Sequence, residues 1–316
     1  MRVEELGTVC DRLLSEISTV IVGKRQTLEL VLTGILANGH ILFEDFPGLA
    51  KTLMAKLFAQ ALGWKFRRIQ FTPDLLPADI TGTYVLDRRD GQFRLRPGPI
   101  FTNILLADEI NRAPPKTQSA LLEGMQERQV TIEGDTYPLE KPFIVIATQN
   151  PIEYEGTYPL PEAQIDRFMM RLSIGYPDKQ EEIEILTRRI ASQTDDYKIQ
   201  PVVTSEFFQE AQHVTEQVHV DDEIKDYTVE IVQRTRNHSL VGLGSSPRGS
   251  LAILHLSRAK AALAGRDYVV PEDVKTVAVS ALSHRLLLKS GTWLAGTKAE
   301  EIVRGILDET KTPRVS

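Results

Sequence analysis

The segment from 40 to 62, HILFEDFPGLAKTLMAKLFAQAL, constrains the fold more than any other part of the chain. It contains a short apolar run, a loop with Pro47 and Gly48, and a helix-compatible stretch that begins at Lys51 and Thr52. A strand, a loop and a helix N-terminus in this order are typical of a phosphate site, because the helix dipole and the free backbone amides favour an anion. The segment therefore predicts a phosphate-binding loop in an α/β fold.

The loop departs from the strict pattern G-x-x-x-x-G-K-[ST], because Asp45 and Ala50 stand where the two glycines belong. The remaining residues still suit the chemistry. Gly48 lets the backbone approach a phosphate, Lys51 can reach the β- and γ-phosphates, and Thr52 can offer a hydroxyl to Mg²⁺. The alternative is a solvated lysine at a helix start, which the loop alone does not exclude.

Composition narrows the class of protein. A length of 316 residues suits roughly two domains. One cysteine, Cys10, excludes an intrachain disulfide and any site with several cysteine ligands. The formal charge of −6 argues against nonspecific nucleic-acid binding as the main activity. The acidic N-terminus is unlike a secretory signal, and no apolar run approaches the roughly 18 residues of a membrane span, so we expect a cytoplasmic protein.

Two acidic residues follow a second apolar strand. The run at 103–108, NILLAD, ends in Asp108 and Glu109, which suits a central strand of a parallel sheet with its functional end at the carboxyl edge. There Asp108 would hold the Mg²⁺ shell, and Glu109 would orient and deprotonate the attacking water. The same pair alone is also typical of a helix cap.

A third apolar strand, FIVIAT at 143–148, is followed by a polar amide, Asn150. At a strand end Asn150 can position the water or touch the γ-phosphate, although Asn before Pro also favours a turn. Before the NILLAD run, the segment 82–98 alternates around Asp90 and Gly91 and predicts a basic β-hairpin. The hairpin is either a solvated one or a contact with a partner.

Beyond 176 the pattern changes to helical periodicity, so we predict a nucleotide-binding domain over 1–176 and a helical domain over 177–316. The predicted helices cover 178–192, 204–219, 221–238, 247–265, 271–285 and 298–309.

The motifs taken together resemble the MoxR family of AAA+ ATPases, in the branch of magnesium chelatase and the MCM helicases. The motifs that carry the resemblance appear in the family's order and span most of the chain. They are IVGK (21–24), EDFPGLAKT (44–52), QFTPDLLPADITG (70–82), the segment 98–132, ATQNP (147–151), LPEAQIDRF (160–168), SSPRGSL (245–251) and DYVVPEDV (267–274). The resemblance implies an α/β fold, an AAA+ αβα sandwich with a parallel five-stranded sheet, followed by an all-helical lid.

The resemblance also implies roles for individual residues. The nucleotide would contact Ile21, Val22, Gly23, Asp45, Pro47, Gly48, Leu49, Ala50, Lys51, Thr52 and Leu53. Lys51 and Thr52 would be the Walker A pair and Asp108 and Glu109 the Walker B pair, with Thr52 and Asp108 at the metal. Asn150 resembles the sensor 1 residue and Arg248 the sensor 2 residue. Arg167 resembles the arginine finger that reaches the neighbouring subunit's nucleotide, with Arg171 as a rival; either arginine could instead be an ordinary surface residue.

The implied function is Mg²⁺-dependent ATP hydrolysis to ADP by a chaperone that remodels or matures a client protein. The family further implies a nucleotide-dependent ring, by analogy a hexamer, and a partner with a von Willebrand factor A domain. Two alternatives remain open. One is an MCM-like nucleic-acid motor that uses the hairpin arginines, and the other is a weakly hydrolysing, nucleotide-gated scaffold in which the Ala50 methyl crowds the phosphate.

Overall fold

A five-stranded parallel sheet lies within residues 41–172 of the structure, a computed structural model that describes residues 1–151, 156–291 and 296–313. The strand order is β2-β5-β8-β1-β9. These strands are β1 Ile41–Glu44, β2 Phe66–Gln70, β5 Ile104–Asp108, β8 Ile144–Gln149 and β9 Met170–Leu172. The parallel five-stranded sheet predicted from sequence is confirmed.

Helices cover the sheet because its strands are apolar on both faces. Alternate residues of one strand enter two separate cores: Leu106 points toward the core of the N-terminal helices, and Leu105 toward the opposite one. The covering helices are α1 Val3–Ser18, α2 Arg25–Leu36, α3 Lys51–Ala61, α4 Pro77–Thr81 and α5 Pro115–Glu127. The chain therefore has the three-layer arrangement expected of the αβα sandwich.

Two antiparallel hairpins project from the sandwich. The first pairs β3 Gly82–Asp87 with β4 Gln92–Pro97, as the sequence around Asp90 predicts. The second pairs β6 Gln129–Ile132 with β7 Asp135–Pro138. Both hairpins precede a strand of the main sheet, so each is an insertion between core elements.

The C-terminal half is mainly helical, as predicted. Its helices are α6 Glu162–Ile165, α7 Lys179–Ser192, α8 Ser205–Glu216, α9 Asp222–Asn237, α10 Pro247–Leu263, α11 Pro271–Leu282 and α12 Ala299–Glu309. One feature was not predicted: β10 Val241–Leu243 pairs with β11 Leu287–Leu288.

The N-terminal helices share an apolar core with the C-terminal ones. Helix α1 packs on α10, and an added Cβ at Gly7 would lie 2.8 Å from the backbone nitrogen of Gly265. The loop at 173–178 separates the last strand of the sheet from α7. The division into 1–176 and 177–316 stays a prediction. Among the described residues, no helix combines the length and apolar character that crossing a bilayer requires.

Candidate active site

The loop between β1 and α3 has the backbone geometry of an anion cradle. Gly48 has a φ of 83°, and an added Cβ there would meet no atom within 4 Å, so the space above it is open. Ala50 caps α3 with a φ of 58°, which is the left-handed region that favours glycine. Helix α3 begins at Lys51, and its first free amides face the same loop. Ala50 therefore adopts the backbone conformation that a glycine would favour at this position.

A cavity of about 400 Å³, here called the phosphate cavity, opens beside this loop. It lies at the carboxyl edge of the sheet, where β5 and β8 end. Its lining residues come from four segments and are Pro47, Gly48, Leu49, Ala50, Lys51, Thr52, Leu53, Arg68, Gln70, Asp108, Glu109, Thr148 and Asn150. The predicted Walker A, Walker B and sensor 1 residues thus meet in one place.

Lys51 is held at the floor of the phosphate cavity. Its side chain is buried, and Nζ donates a hydrogen bond to the backbone carbonyl of Asp45 at 2.7 Å. Burial lowers the pKa of Lys51, and the carboxylates of Asp45, Asp108 and Glu109 counteract this by favouring the charged form. A phosphate group entering the cavity would add negative charge next to this cation.

Asp45 has a different position from the one expected, because its side chain is turned away from the phosphate cavity. The carboxylate accepts hydrogen bonds from the backbone amides of Ile174 at 2.5 Å and Gly175 at 3.0 Å, and from the Ser173 hydroxyl at 3.0 Å. Several donors on one buried carboxylate make a strong local tie. The Asp45 side chain therefore connects the phosphate loop to the loop after β9, and its backbone carbonyl accepts the hydrogen bond from Lys51.

The two acidic residues after β5 are positioned by Thr148 of the neighbouring strand. The Thr148 hydroxyl donates to Asp108 Oδ1 at 2.6 Å and accepts from the backbone amide of Glu109 at 2.8 Å. The other oxygen of Asp108, Oδ2, accepts from Arg68 Nε at 3.0 Å and Nη2 at 2.7 Å. Both carboxylate oxygens of Asp108 are thus hydrogen-bonded.

Glu109 is also engaged. Its backbone has a left-handed φ of 56°, and its Oε2 accepts from Gln70 Nε2 at 2.7 Å and from Arg112 Nη1 at 2.9 Å. A carboxylate that accepts two such bonds has less capacity to orient a water. Both bonds are made to Oε2, so they restrain the Glu109 side chain beside the phosphate cavity.

The oxygen donors of the phosphate cavity suit Mg²⁺. The Thr52 side chain and the Asp108 carboxylate both line it, and hydroxyl and carboxylate oxygens are the ligands that Mg²⁺ takes. Within the described residues no group of three His, Cys, Asp or Glu side chains could hold a metal on its own. This fits Mg²⁺ held by one or two protein oxygens together with phosphate oxygens and water.

A second cavity of about 160 Å³ lies on the other side of the loop and shares Gly48, Leu49, Ala50 and Leu53 with the phosphate cavity. We call it the apolar cavity. Ile21 and Val22 line it, as the resemblance implied for a base, together with Ile174 from the segment after β9. A nucleotide could thus place its base here and its phosphates beyond the loop.

Gly23 is absent from the lining of the apolar cavity and has a structural reason to be glycine. Its φ is 70°, and an added Cβ would lie 1.8 Å from Oε1 of Glu181. The next residue, Lys24, contacts Glu181 at 3.3 Å and donates to the Tyr176 carbonyl at 3.0 Å. The IVGK segment therefore packs against the start of α7 while Ile21 and Val22 face the cavity.

Arg167 and Arg248 lie at the opposite edge of the sheet from the phosphate cavity. Both line a third cavity of about 310 Å³, the arginine cavity, which also includes residues 38–40 before β1 and Met169 before β9. None of its lining residues contributes to the phosphate cavity. Because the phosphate loop follows the four residues of β1, the two sites are about 13 Å or more apart at ~3.3 Å per residue.

The arginine cavity is organised by Asp166 and Arg285. Asp166 accepts from Arg285 Nε at 2.8 Å and from Arg248 Nη1 at 3.5 Å. Arg285 also donates to the Phe168 carbonyl at 2.8 Å, so it fixes the turn that carries Arg167. The Nε of Arg167 is buried and has no hydrogen-bond partner within the described part of the chain. Arg167 thus retains unused donor capacity.

Arg171, the rival for the finger role, is held in two ion pairs. Its Nη1 lies 2.6 Å from Glu44 Oε2, and its Nη2 lies 2.6 Å from Glu300 Oε1. These pairs connect the end of β1 to α12. Among the described residues, these contacts leave Arg167 more available than Arg171 to meet a ligand.

Sequence reasoning missed four residues of these sites. Arg68, Gln70 and Thr148 contact the acidic pair, and Arg285 orders the arginine cavity. Gln70 and Thr148 could have been noticed as polar residues at the ends of predicted strands. Arg68 lies inside β2 and Arg285 follows α11, so neither stands at a strand end that would have marked it.

Comparisons with known proteins agree with this geometry. The profile of the ATPase family associated with various cellular activities (AAA) matches residues 40–170, and that of the AAA lid domain matches 233–306. A crystal structure from Cytophaga hutchinsonii, whose description proposes an ATPase, superimposes with a TM-score of 0.91. The two sequences are 41% identical, and the matched region covers 98% of this chain and 96% of the chain from Cytophaga hutchinsonii.

Two relatives span almost the whole chain. Protein YeaC of Bacillus subtilis is 49% identical over 310 residues, which cover 98% of this chain and 97% of that protein. Chaperone MoxR1 of Mycobacterium tuberculosis is 42% identical over 324 residues, which cover 97% of this chain and 83% of that protein.

Proposed function

Because this chain belongs to the MoxR family of AAA+ ATPases, we propose that it binds ATP with Mg²⁺ and hydrolyses it to ADP and phosphate in the phosphate cavity. The observation that carries the proposal is the convergence of Lys51, Asp108, Glu109 and Asn150 on one cavity beside a helix N-terminus.

We assign a separate role in nucleotide binding or hydrolysis to each of these residues. The loop amides and Lys51 bind the β- and γ-phosphates, while Ile21 and Val22 contact the base. Thr52 and Asp108 would hold Mg²⁺, which when bound neutralises charge on the phosphate oxygens. Glu109 accepts the proton of the attacking water, and the buried amide of Asn150 orients that water.

Two substitutions test this division. Lys51→Ala should abolish tight nucleotide binding, since the main point charge on the phosphates is lost. Glu109→Gln should keep nucleotide affinity but lower kcat by about 10²-fold or more, the scale for loss of a general base. Fluorescent-nucleotide binding and phosphate release measure the two quantities. An unchanged kcat in Glu109→Gln would remove Glu109 from the mechanism.

Arg167 and Arg248 are proposed to act on the nucleotide of a neighbouring copy. Both lie at the amino edge of the sheet, where they cannot line their own phosphate cavity. A ring in which each copy presents its arginine cavity to the next copy's phosphate cavity would bring them to the γ-phosphate. The separation of the arginine cavity from the phosphate cavity of the same chain supports a nucleotide-dependent ring, and the family analogy suggests six subunits.

The cellular role proposed is that of a chaperone that remodels or matures a client protein. Support comes from the relatives, one of which is named Chaperone MoxR1, and from the two projecting hairpins, which offer surfaces to a client. A partner with a von Willebrand factor A domain is proposed on family grounds alone. The chaperone role is tested by capture of the partner or client from a lysate in the presence of ATP. The Glu109→Gln protein should retain the bound protein, and Lys51→Ala should not.

A further inference from the structure

Arg68 contacts the carboxylate that would hold the metal. It is the third residue of β2 and pairs with Asp108 across the sheet edge, with both Nε and Nη2 on the single oxygen Oδ2. The Nη2 group also donates to Gln70 Oε1 at 2.7 Å. Arg68 lines the phosphate cavity, so it lies among the residues that would surround a metal-bound nucleotide.

This contact uses the part of Asp108 that a metal would need. Oδ1 is already an acceptor for the Thr148 hydroxyl, and Oδ2 is occupied by Arg68, which lines the cavity together with Asp108. A guanidinium and a divalent cation on one oxygen repel each other, because like charges a few ångströms apart interact unfavourably in a partly hydrated site. The two cations are therefore alternatives at Asp108.

We propose that Arg68 is a positioning residue that occupies the Mg²⁺ side of Asp108 in the nucleotide-free site and is displaced when Mg²⁺-nucleotide binds. The inference rests on the proposed nucleotide function of the cavity. It deepens that function, because it adds a residue of this chain that sets how tightly the metal complex is held.

The surroundings of Arg68 permit the displacement. Strand β2 is at the edge of the sheet, and 47% of the Arg68 side chain is exposed, so it can swing into solvent without opening the core. Such half-exposed ion pairs contribute little to stability, so the guanidinium can be displaced at a small cost. Displacement also withdraws the Nη2 donor from Gln70, the residue that holds Glu109. Metal binding would thereby change the contacts of the residue that donates a hydrogen bond to Glu109.

The chain provides a matched control in Arg67. It is also exposed and adjacent on β2, but successive side chains of a strand point to opposite faces. Arg67→Ala therefore changes the net charge by the same amount as Arg68→Ala without removing the contact with Asp108.

The experiment compares wild type, Arg68→Ala and Arg67→Ala by equilibrium binding of a fluorescent, non-hydrolysable ATP analogue, once with saturating Mg²⁺ and once with EDTA. With Mg²⁺, Arg68→Ala should bind about two- to fivefold more tightly than wild type, the fold-change of losing a weak competing ion pair. With EDTA its affinity should be equal to or below that of wild type. Arg67→Ala should match wild type with Mg²⁺.

Three results would overturn the proposal. The first is an unchanged or weaker affinity of Arg68→Ala for the analogue with Mg²⁺. The second is an equal gain in affinity with EDTA, which would mean that Arg68 obstructs the nucleotide and not the metal. The third is an equal gain in affinity in Arg67→Ala. Failure of the proposed function is distinguishable, because wild type and Lys51→Ala would then bind the analogue equally poorly in both buffers.

Discussion

At the scale of single residues, the site places non-glycine residues in left-handed conformations at two positions. Ala50 caps α3 with a φ of 58°, and Glu109 follows β5 with a φ of 56°. Each conformation costs about 1 kcal/mol or more for an L-residue with a Cβ. At Glu109 the bond from its amide to Thr148 offsets part of that cost and turns the side chain toward the cavity. The strain lies where the chemistry is proposed.

His40 shows how a buried polar residue can limit stability in acid. Its Nδ1 accepts from the Val145 amide at 2.9 Å, so Nε2 carries the hydrogen and donates to the Met125 carbonyl at 3.0 Å. Burial, with Arg128 nearby, lowers the pKa of His40 to about 3. The folded protein therefore holds His40 neutral throughout the physiological range.

This arrangement predicts a loss of stability below pH 6.5. The unfolded chain protonates His40 near pH 6.5, but the folded chain does so only near pH 3, so protons favour unfolding in that window. Between pH 7 and 5 the free energy of unfolding should fall by about 2 kcal/mol through His40. Burial also lowers the pKa of His284, which adds a loss of the same sign. Urea unfolding at several pH values measures this decrease in the free energy of unfolding.

The control for this prediction is His40→Gln, which cannot titrate. It should be less stable than wild type at pH 7, because the fit to Met125 and Val145 is disturbed, but its stability should fall less between pH 7 and 5. Parallel pH curves for the two proteins would contradict the assignment. Carboxylates contribute equally to both curves and so cancel in the comparison.

At the scale of elements, the sequence predicted those strands and helices that have a local pattern of apolar residues. Apolar runs before Asp108 and Asn150 predicted β5 and β8, and helical periodicity predicted the helices after 176. The pair β10 and β11 escaped prediction because its strands are two and three residues long and separated by more than 40 residues. Such short strands form because of their partners and have no period of their own.

Contacts between distant elements were the least predictable part of the site. The meeting of Arg68 with Asp108 depends on β2 lying beside β5, with Gln70 opposite Asp108 in register. No local pattern in the sequence fixes that strand order. The same holds for Asp45, which looked like a cradle residue because of its position but is fastened to the loop after β9.

The two hairpins are coupled by a side-chain contact that has a testable effect. The Tyr84 hydroxyl of β3 donates to Asp135 Oδ2 at 2.7 Å and also contacts the Tyr137 hydroxyl of β7. Tyr84→Phe should raise amide hydrogen exchange in 82–97 about two- to tenfold, the effect of losing one ordinary hydrogen bond. Mass spectrometry of exchange measures this. Tyr268→Phe, an exposed tyrosine on another part of the chain, should leave the hairpin unchanged.

If exchange in 82–97 is the same in Tyr84→Phe as in wild type, the hairpins are independent. If it rises, a client that moves one hairpin would also move the other. Nucleotide affinity should not change in either case, because Tyr84 lines neither the phosphate cavity nor the apolar cavity.

At the scale of the whole molecule, the parallel sheet separates two half-sites. Its carboxyl edge carries the phosphate cavity, and its amino edge carries the arginine cavity. A parallel sheet has this polarity by construction, since all strands end at one edge. A complete site, if the proposed mechanism is correct, then requires two copies. Wild-type mass measured by light scattering should accordingly rise when ATP and Mg²⁺ are added.

The sharpest prediction from this polarity uses mixed subunits. Arg167→Ala should bind ATP but hydrolyse it poorly, because a guanidinium supplied in trans contributes about 10³- to 10⁵-fold in related phosphoryl-transfer enzymes. Lys51→Ala should be inactive for want of nucleotide. A mixture of the two inactive proteins should regain part of the activity, since some interfaces pair an intact phosphate cavity with an intact finger. Phosphate release measures the recovery, and light scattering must show that mixed oligomers form.

A mixture that assembles but stays inactive would exclude action in trans by Arg167. Arg248→Ala is then informative, because Arg248 shares the arginine cavity and should show the same complementation if the cavity acts as a unit. Arg171→Ala provides the contrast. Its ion pairs with Glu44 and Glu300 stay within one chain, so its loss should lower stability and should not be rescued by Lys51→Ala subunits. Rescue of Arg171→Ala alone would transfer the finger role to that residue.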